Sequence, residues 1–515
     1  MSHQGFWERA KHEPNQLAIV SDDYREITLG ELGARVNQLS RGLQALGLER
    51  GDGVAILLNN HVEWIEVYMA TQQIGLFLTA INYHLTGPEV AYILQNSESK
   101  VFITESAYGD AAQKAVDEVK FDSKFCFSLD DLGSFAPFEG LLLDQSIEQP
   151  ENRSAGSLML YTSGTTGKPK GVRRPLSDMT PEMAGSMSGM LGMLFDIEPE
   201  KGTHLVMGPL YHAAPAGFST GALHQGQALI LMKKWTPEGA LQRIEKYGIT
   251  ATHMVPTMFH RLLELPDDIK SKYDITSLKN VIHAAAPCPP ETKRRMLNWW
   301  GSVIYEYYAA TEGGGAYVKP KDWLEHPGTV GSAWPGSRLV ILDDDGKEMK
   351  PNEVGTIYMG SAMGEFSYYK DDKKTKESRR GDLFTVGDMG YLTEDGWLFI
   401  CDRKSDMIIS GGSNIYPAEI EGVLIQHPKV SDIAVFGIPD NDWGESVKAV
   451  VELVEGVEAS DTIAAEIQAY ASENLAKYKL PKSIDFIDAL PRLPTGKLYK
   501  RLLRDKYWEN QATNV

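Results

Sequence analysis

Residues 158–172 read Leu158-Met159-Leu160-Tyr161-Thr162-Ser163-Gly164-Thr165-Thr166-Gly167-Lys168-Pro169-Lys170-Gly171-Val172. An apolar run with the look of a strand enters a loop in which Thr162, Ser163, Thr165 and Thr166 supply hydroxyls and Lys168 and Lys170 add positive charge. Gly164, Gly167 and Gly171 let backbone N–H groups turn toward a ligand without steric cost. Hydroxyls, free amides and lysines crowded into one turn suit a polyphosphate. The Walker phosphate loop is excluded by spacing, because it needs four residues between its glycines and Ser or Thr after its lysine. Here two residues separate Gly164 from Gly167, and Pro169 follows Lys168.

Around this loop, short apolar runs alternate with amphipathic stretches. Thr28 and Glu31 form a capping box ahead of Leu32, Val36, Leu39, Leu43 and Leu46 at helical spacing. Strands are expected at 54–58, 101–104, 158–161, 203–207, 228–232, 250–255, 280–284 and 302–306, with helices at 62–70, 237–247 and 290–299 and one opened by Thr86, Pro88 and Glu89. Such alternation implies parallel sheets, whose ligand loops lie at the carboxyl ends of the strands. From Ser337 the pattern changes to short strands with Asp345-Gly346 and Asp395-Gly396 turns, an antiparallel ribbon or small barrel. After Asp402 a compact α+β segment follows, with strands near 433–436 and 448–453 and a helix over 460–475.

A chain of 515 residues can bury a large core and make roughly three to four structural units. The 42% hydrophobic and 23% charged content is that of a globular protein. The net charge of −19 repels nucleic acid and anionic membranes, so an anionic substrate must be drawn in by a local cluster of donors. Cys126, Cys288 and Cys401 are far apart and form no metal-ligand pattern. With no apolar leader and no run near the ~18 residues of a membrane helix, the expectation is a cytoplasmic protein without integral membrane association. A homodimer is the expected oligomer.

Further motifs recur along the chain: Pro209-Leu210-Tyr211-His212, Ala284-Ala285-Ala286-Pro287, Tyr308-Ala309-Ala310-Thr311-Glu312, Val386-Gly387-Asp388, Asp402-Arg403, the glycine pair Gly411-Gly412 within 410–417, and Pro494-Thr495-Gly496-Lys497. In this order they resemble the signatures of the adenylate-forming superfamily: acyl-CoA synthetases, peptide-synthetase adenylation domains and firefly luciferase. The resemblance implies an α/β fold: a large domain over 1–402 of two parallel-rich sheets with helices plus a small β-barrel, a hinge over 403–405, and a small mobile α+β domain over 406–515. It also implies an acid–thiol ligase that uses ATP, Mg²⁺ and CoA.

Roles follow by the same resemblance. Thr162, Ser163, Gly164, Thr165, Thr166, Gly167 and Lys170 grip the phosphates; Ala285, Ala286, Pro287, Tyr308, Ala309, Ala310 and Thr311 frame the adenine; Asp388 and Arg403 hold the ribose. Lys497 bridges carboxylate and α-phosphate, Glu312 and Thr162 hold Mg²⁺, and His212 lines the acyl channel. Gly411 and Gly412 leave a passage for the pantetheine arm, and Ser405 is the pivot. The chemistry is coherent without the family, since activating a carboxylate brings two anions together and the site must neutralise the charge that develops. Ala309 stands where the family has glycine, alanines fill 284–286, and Ser405 replaces an acidic or basic pivot residue. Cys288, beside the adenine loop, reads as packing.

Substrate identity is less legible. Gly313 and Gly314 after Glu312, with Ala310, leave room at the pocket floor, and Met254 and Val255 add an apolar wall. A wide apolar channel favours a fatty or bulky alicyclic acid, with an aryl acid as the alternative. Delivery of the adenylate to a carrier protein instead of CoA, or a non-catalytic nucleotide sensor, are the other readings.

Overall fold

The computed structural model describes residues 5–162, 169–310, 312–360, 366–492 and 498–508. Local signals are realised as read. Thr28 caps Leu29–Ala45, with the Glu31 amide donating to its hydroxyl and the Thr28 amide donating to the Glu31 carboxylate; Thr86 and Glu89 do the same for Gly87–Ser97.

Two sheets dominate. In the first, Ile304–Ala309, Asn280–His283, Ala251–Met254, Thr203–Val206, Ala228–Leu231 and Leu17–Val20 run parallel, with antiparallel strands at both edges. The second is wholly parallel, in the order Ala136–Pro137, Cys126–Ser128, Ser99–Thr104, Gly53–Leu57, Phe77–Ala80, Ser157–Leu158. Gly53–Leu57 is buried at every position, as expected where helices cover both faces of a parallel sheet.

Two expectations are refined. The strand read over 158–161 is divided: Ser157–Leu158 joins the parallel sheet, while Leu160–Thr162 crosses to pair antiparallel with Lys170–Arg173. Buried Met159 marks the crossing. The strand read over 302–306 lies at Ile304–Ala309, which carries Tyr308 on its carboxyl end.

The region after Ser337 forms a six-stranded antiparallel sheet that ends with Asp388–Leu392 and Leu398–Arg403. A five-stranded sheet follows, with Val430–Asp440 and Gly444–Leu453 as its long hairpin. The expected hinge residues 403–405 begin at the last residue of Leu398–Arg403 and lead toward the next strand, Ile408–Ser410. Among the described residues no helix is long and apolar enough to cross a membrane.

Candidate active site

The loop that opened the sequence reading spans the hairpin between Leu160–Thr162 and Lys170–Arg173. Ser163, Gly164, Thr165, Thr166, Gly167 and Lys168 lie outside the described residues, as do the Thr162 side chain, Thr311 and Lys497. Lys170 pairs with Asp371 at 3.1 Å, and its Nζ is 5.8 Å from the centroid of the Tyr368 ring.

The parallel strand Ile304–Ala309 delivers Tyr308 to the antiparallel sheet. There its hydroxyl donates to Asp388 Oδ2 at 2.7 Å, and Arg403 Nε stands 3.5 Å from Asp388 Oδ1. Asp388 and Arg403 face one another across their ladder. Burial, and then the Asp388 charge, push the Tyr308 phenol well above its usual range, so it stays a proton donor. A carboxylate held between a phenol and a guanidinium is an acceptor in a fixed direction, suited to a vicinal diol.

The adenine-loop candidates Ala285, Ala286 and Pro287 follow the neighbouring strand Asn280–His283. Ala285 has φ +75°, a left-handed conformation that L-residues other than glycine rarely adopt. Behind the loop lies a buried network: Lys293 Nζ is 2.7 Å and His283 Nε2 3.4 Å from Glu306 Oε2. Burial pushes the Glu306 carboxyl up, but Lys293 and His283 outweigh it and hold the group at about 2. His283 and Lys293 bracket the loop, so the network ties both its ends to the strand carrying Tyr308. Cys288 is half-buried there, and its thiol is pushed up by desolvation first and by Glu306 second, which fits packing rather than reactivity.

Glu312 is 5% exposed. Its carboxylate accepts a hydrogen bond from Tyr368 Oη at 2.6 Å, and its main-chain carbonyl accepts one from Arg174 at 2.8 Å. Gly313 and Gly314 then turn the chain into Gly315–Val318 with φ of +112° and +71°. Among the described residues no three His, Cys, Asp or Glu cluster as a metal cage. One buried carboxylate beside a phosphate loop fits Mg²⁺, which is commonly held by one or two carboxylates together with substrate phosphates.

His212 caps Ala213–His224, its ring 4.3 Å from that of Tyr211. The expected acyl-wall residues Met254 and Val255 are buried in one cluster with Met258 and Phe259. His253, one residue earlier, faces the opposite side. Tyr307 Oη and His253 Nε2 are 3.3 Å apart, and the His253 ring stacks on Phe218 at 5.4 Å. Burial, with lesser effects from His204, His283 and His212, lowers His253 to about 3, so it is neutral. Beyond Phe218 the helices Pro181–Met193 and Ala213–His224 pack closely through Gly189, Gly192, Gly217, Gly221 and Ala222, beside Leu191, Ile197, Ser188 and Gln225, and leave a space of only about 10 Å³. Ala309 ends the strand Ile304–Ala309 and Ala310 follows it.

Sequence reasoning missed His253, Phe218, Arg174 and Tyr368. The alternation in Ala251–Met254 was the available signal for His253; no local pattern marks the other three.

In the last sheet, Gly411 and Gly412 form the two-residue turn joining Ile408–Ser410 to Ser413–Ile415. Both have positive φ, +55° and +79°, and a Cβ on Gly411 would stand 2.4 Å from the Trp443 ring. The Ser405 carbonyl accepts from Arg504 at 3.3 Å.

A family model described as AMP-binding enzyme matches residues 6–369, and one described as AMP-binding enzyme C-terminal domain matches 419–497. A fatty acid–[acyl-carrier-protein] ligase, ScoC, of Streptomyces coeruleorubidus is 31% identical over 98% of this chain and 96% of its own. The long-chain-fatty-acid–CoA ligase FadD13 of Mycobacterium tuberculosis is 31% identical over 97% of each chain. Among solved structures, o-succinylbenzoate CoA synthetase (MenE) from Bacillus subtilis, in complex with its acyl-adenylate intermediate, superposes with a TM-score of 0.79 at 27% identity, covering 100% of this chain and 99% of its own.

Proposed function

This chain belongs to the AMP-binding enzyme family, and from that premise we propose that it is an acyl-CoA ligase acting on a fatty or bulky alicyclic acid. It is an AMP-forming acid–thiol ligase that uses ATP and CoA. In the first half-reaction a carboxylate oxygen forms a bond to the α-phosphorus of ATP, the bond to the β-phosphate oxygen breaks, and pyrophosphate leaves. In the second, the deprotonated CoA sulfur attacks the acyl carbonyl and AMP leaves.

We assign the ribose to Asp388, held by Tyr308 and Arg403, and the adenine to the loop over 285–287 and to Tyr308. The phosphates fall to the loop over 162–167 with Lys170, which must exchange Asp371 for phosphate. Glu312, with Thr162, would hold Mg²⁺, which when bound neutralises phosphate charge. Lys497 bridges carboxylate and α-phosphate. Residues 1–402 carry the first half-reaction; rotation of 406–515 about Ser405 would bring Gly411 and Gly412 to the thiol passage. The enzyme is cytoplasmic and homodimeric in this reading.

The observation that carries the acid's class is the likeness, over nearly the whole chain, to a long-chain-fatty-acid–CoA ligase. Beside the nucleotide residue Tyr308, neighbouring Tyr307, neutral His253 and Phe218 form a contiguous path of uncharged rings. A carbon chain or alicyclic ring packs against such rings without stranding a charge. An aryl acid is the second reading, favoured by the aromatic rings of the path and by the likeness to a succinylbenzoate enzyme. A carrier-protein acceptor is the third, favoured by the carrier-protein ligase among the relatives.

The test is incubation with Mg-ATP, CoA and a panel of short, medium, long, alicyclic and aryl acids, with mass-spectrometric detection of AMP, acyl-AMP and acyl-CoA. Acyl-CoA from medium, long or alicyclic acids is expected. Turnover confined to aryl acids would replace the first reading with the second. Acyl-AMP without thioester would point to the carrier protein.

A further inference from the structure

The reading of Glu312 as a metal-holding carboxylate leaves open how that buried side chain is kept oriented. We propose that Tyr368 and Arg174 are positioning residues for divalent-metal binding: they fix Glu312 from two sides, one through its carboxylate and the other through its main-chain carbonyl. This rests on the assignment of Glu312 made above.

The arrangement is specific. Tyr368 is 6% exposed and lies on Ser367–Tyr368, which pairs with Lys170–Arg173 through Val172. Arg174 follows that same strand directly. The small sheet that carries the phosphate loop therefore also supplies both donors to Glu312, so loop and carboxylate are set relative to one another by one hydrogen-bonded unit.

The two contacts hold different parts of Glu312. Tyr368 donates as a neutral phenol, at 2.6 Å to Oε1. A carboxylate anchored through one oxygen presents the other in a fixed direction. Arg174 donates to the main-chain carbonyl of Glu312. The nearby Lys170 is paired instead with Asp371 at 3.1 Å. A lysine or arginine in the place of the phenol would form an ion pair and compete with a bound cation. Outer partners of metal-binding carboxylates and histidines commonly change metal affinity by about 10–100-fold when removed.

The experiment uses the full chain with a non-hydrolysable α,β-methylene ATP analogue and Mn²⁺, followed by electron paramagnetic resonance, beside steady-state assays of each half-reaction. Y368F is expected to weaken Mn²⁺ binding in the ternary complex at least about tenfold. The Mg²⁺ requirement of adenylation should rise in parallel, while thioester formation from supplied acyl-AMP stays unchanged. R174Q is expected to weaken Mn²⁺ about threefold, as loss of one hydrogen bond would. E312Q is the control. If E312Q loses Mn²⁺ binding while Y368F and R174Q keep it, the positioning role is overturned and the assignment of Glu312 stands. If E312Q itself binds Mn²⁺ normally, that assignment falls, and this inference with it. A Y368F protein that melts earlier but binds Mn²⁺ as the parent does would show a merely structural tyrosine, which also overturns the proposal.

Discussion

Tyr308 donates its phenolic hydrogen to Asp388 at 2.7 Å across a separation of 80 residues, joining the first parallel sheet to the antiparallel sheet. That bond fixes where a base and a ribose can sit relative to each other. D388A is expected to raise the dissociation constant for ATP about 10–100-fold, the range for losing hydrogen bonds to a charged group. Y308F should raise it less, because Arg403 still flanks the carboxylate. Calorimetric titration with ATP checks both, and a D388A protein that binds ATP as the parent does would remove the ribose assignment.

Lys497 is assigned from its Pro-Thr-Gly-Lys motif. K497A should slow adenylation by at least about two orders of magnitude, on the scale of losing a charge stabiliser of the transition state, and leave thioester formation from supplied acyl-AMP largely intact. Pyrophosphate release measured against acyl-AMP consumption separates the steps; unchanged pyrophosphate release sinks the assignment.

The buried Lys293–Glu306 pair, 2.7 Å apart, tests how the adenine loop is held. K293M strands the Glu306 charge and should destabilise the fold by about 3–5 kcal/mol. The double variant K293M/E306M should recover much of that loss, because no charge is then left unpaired. Urea denaturation reads the stability. If the loop depends on the pair, the recovered double variant will still show a raised KM for ATP with the KM for the acid unchanged.

Acid sensitivity follows from His224. Its Nδ1 accepts the Phe6 amide at 3.2 Å, and burial lowers its pKa from 6.5 to about 4. Between those values the unfolded chain holds a proton that the folded chain refuses. Stability therefore falls as pH drops from about 6.5 to 4, by up to about 1.4 kcal/mol per pH unit for this one group, and its contribution levels off below. H224N keeps an acceptor without the titration. Denaturation midpoints collected across that window should fall less steeply in H224N, and parallel slopes would refute the linkage.

Much was legible in the chain alone. The Thr28–Glu31 and Thr86–Glu89 boxes, the buried Gly53–Leu57 strand and the change of character after Ser337 are short-range signals, carried by hydrogen bonds and periodicities within a few residues. The order of motifs from Thr162 to Lys497 identified the chemistry for the same reason: each motif is local and its residue types suit one task. Which residue around Met254 shares a face with Phe218 was not legible, because apolar character does not say which face of a strand a residue occupies. Pleating decides that, and it turns His253 rather than Met254 toward Phe218 and Tyr307. Nor does any local pattern join Glu312 to Tyr368, 56 residues on, or to Arg174, 138 residues back. Those contacts exist because Ser367–Tyr368 pairs with Lys170–Arg173, and strand pairing across such distances is fixed only when the sheets assemble and bury their shared faces.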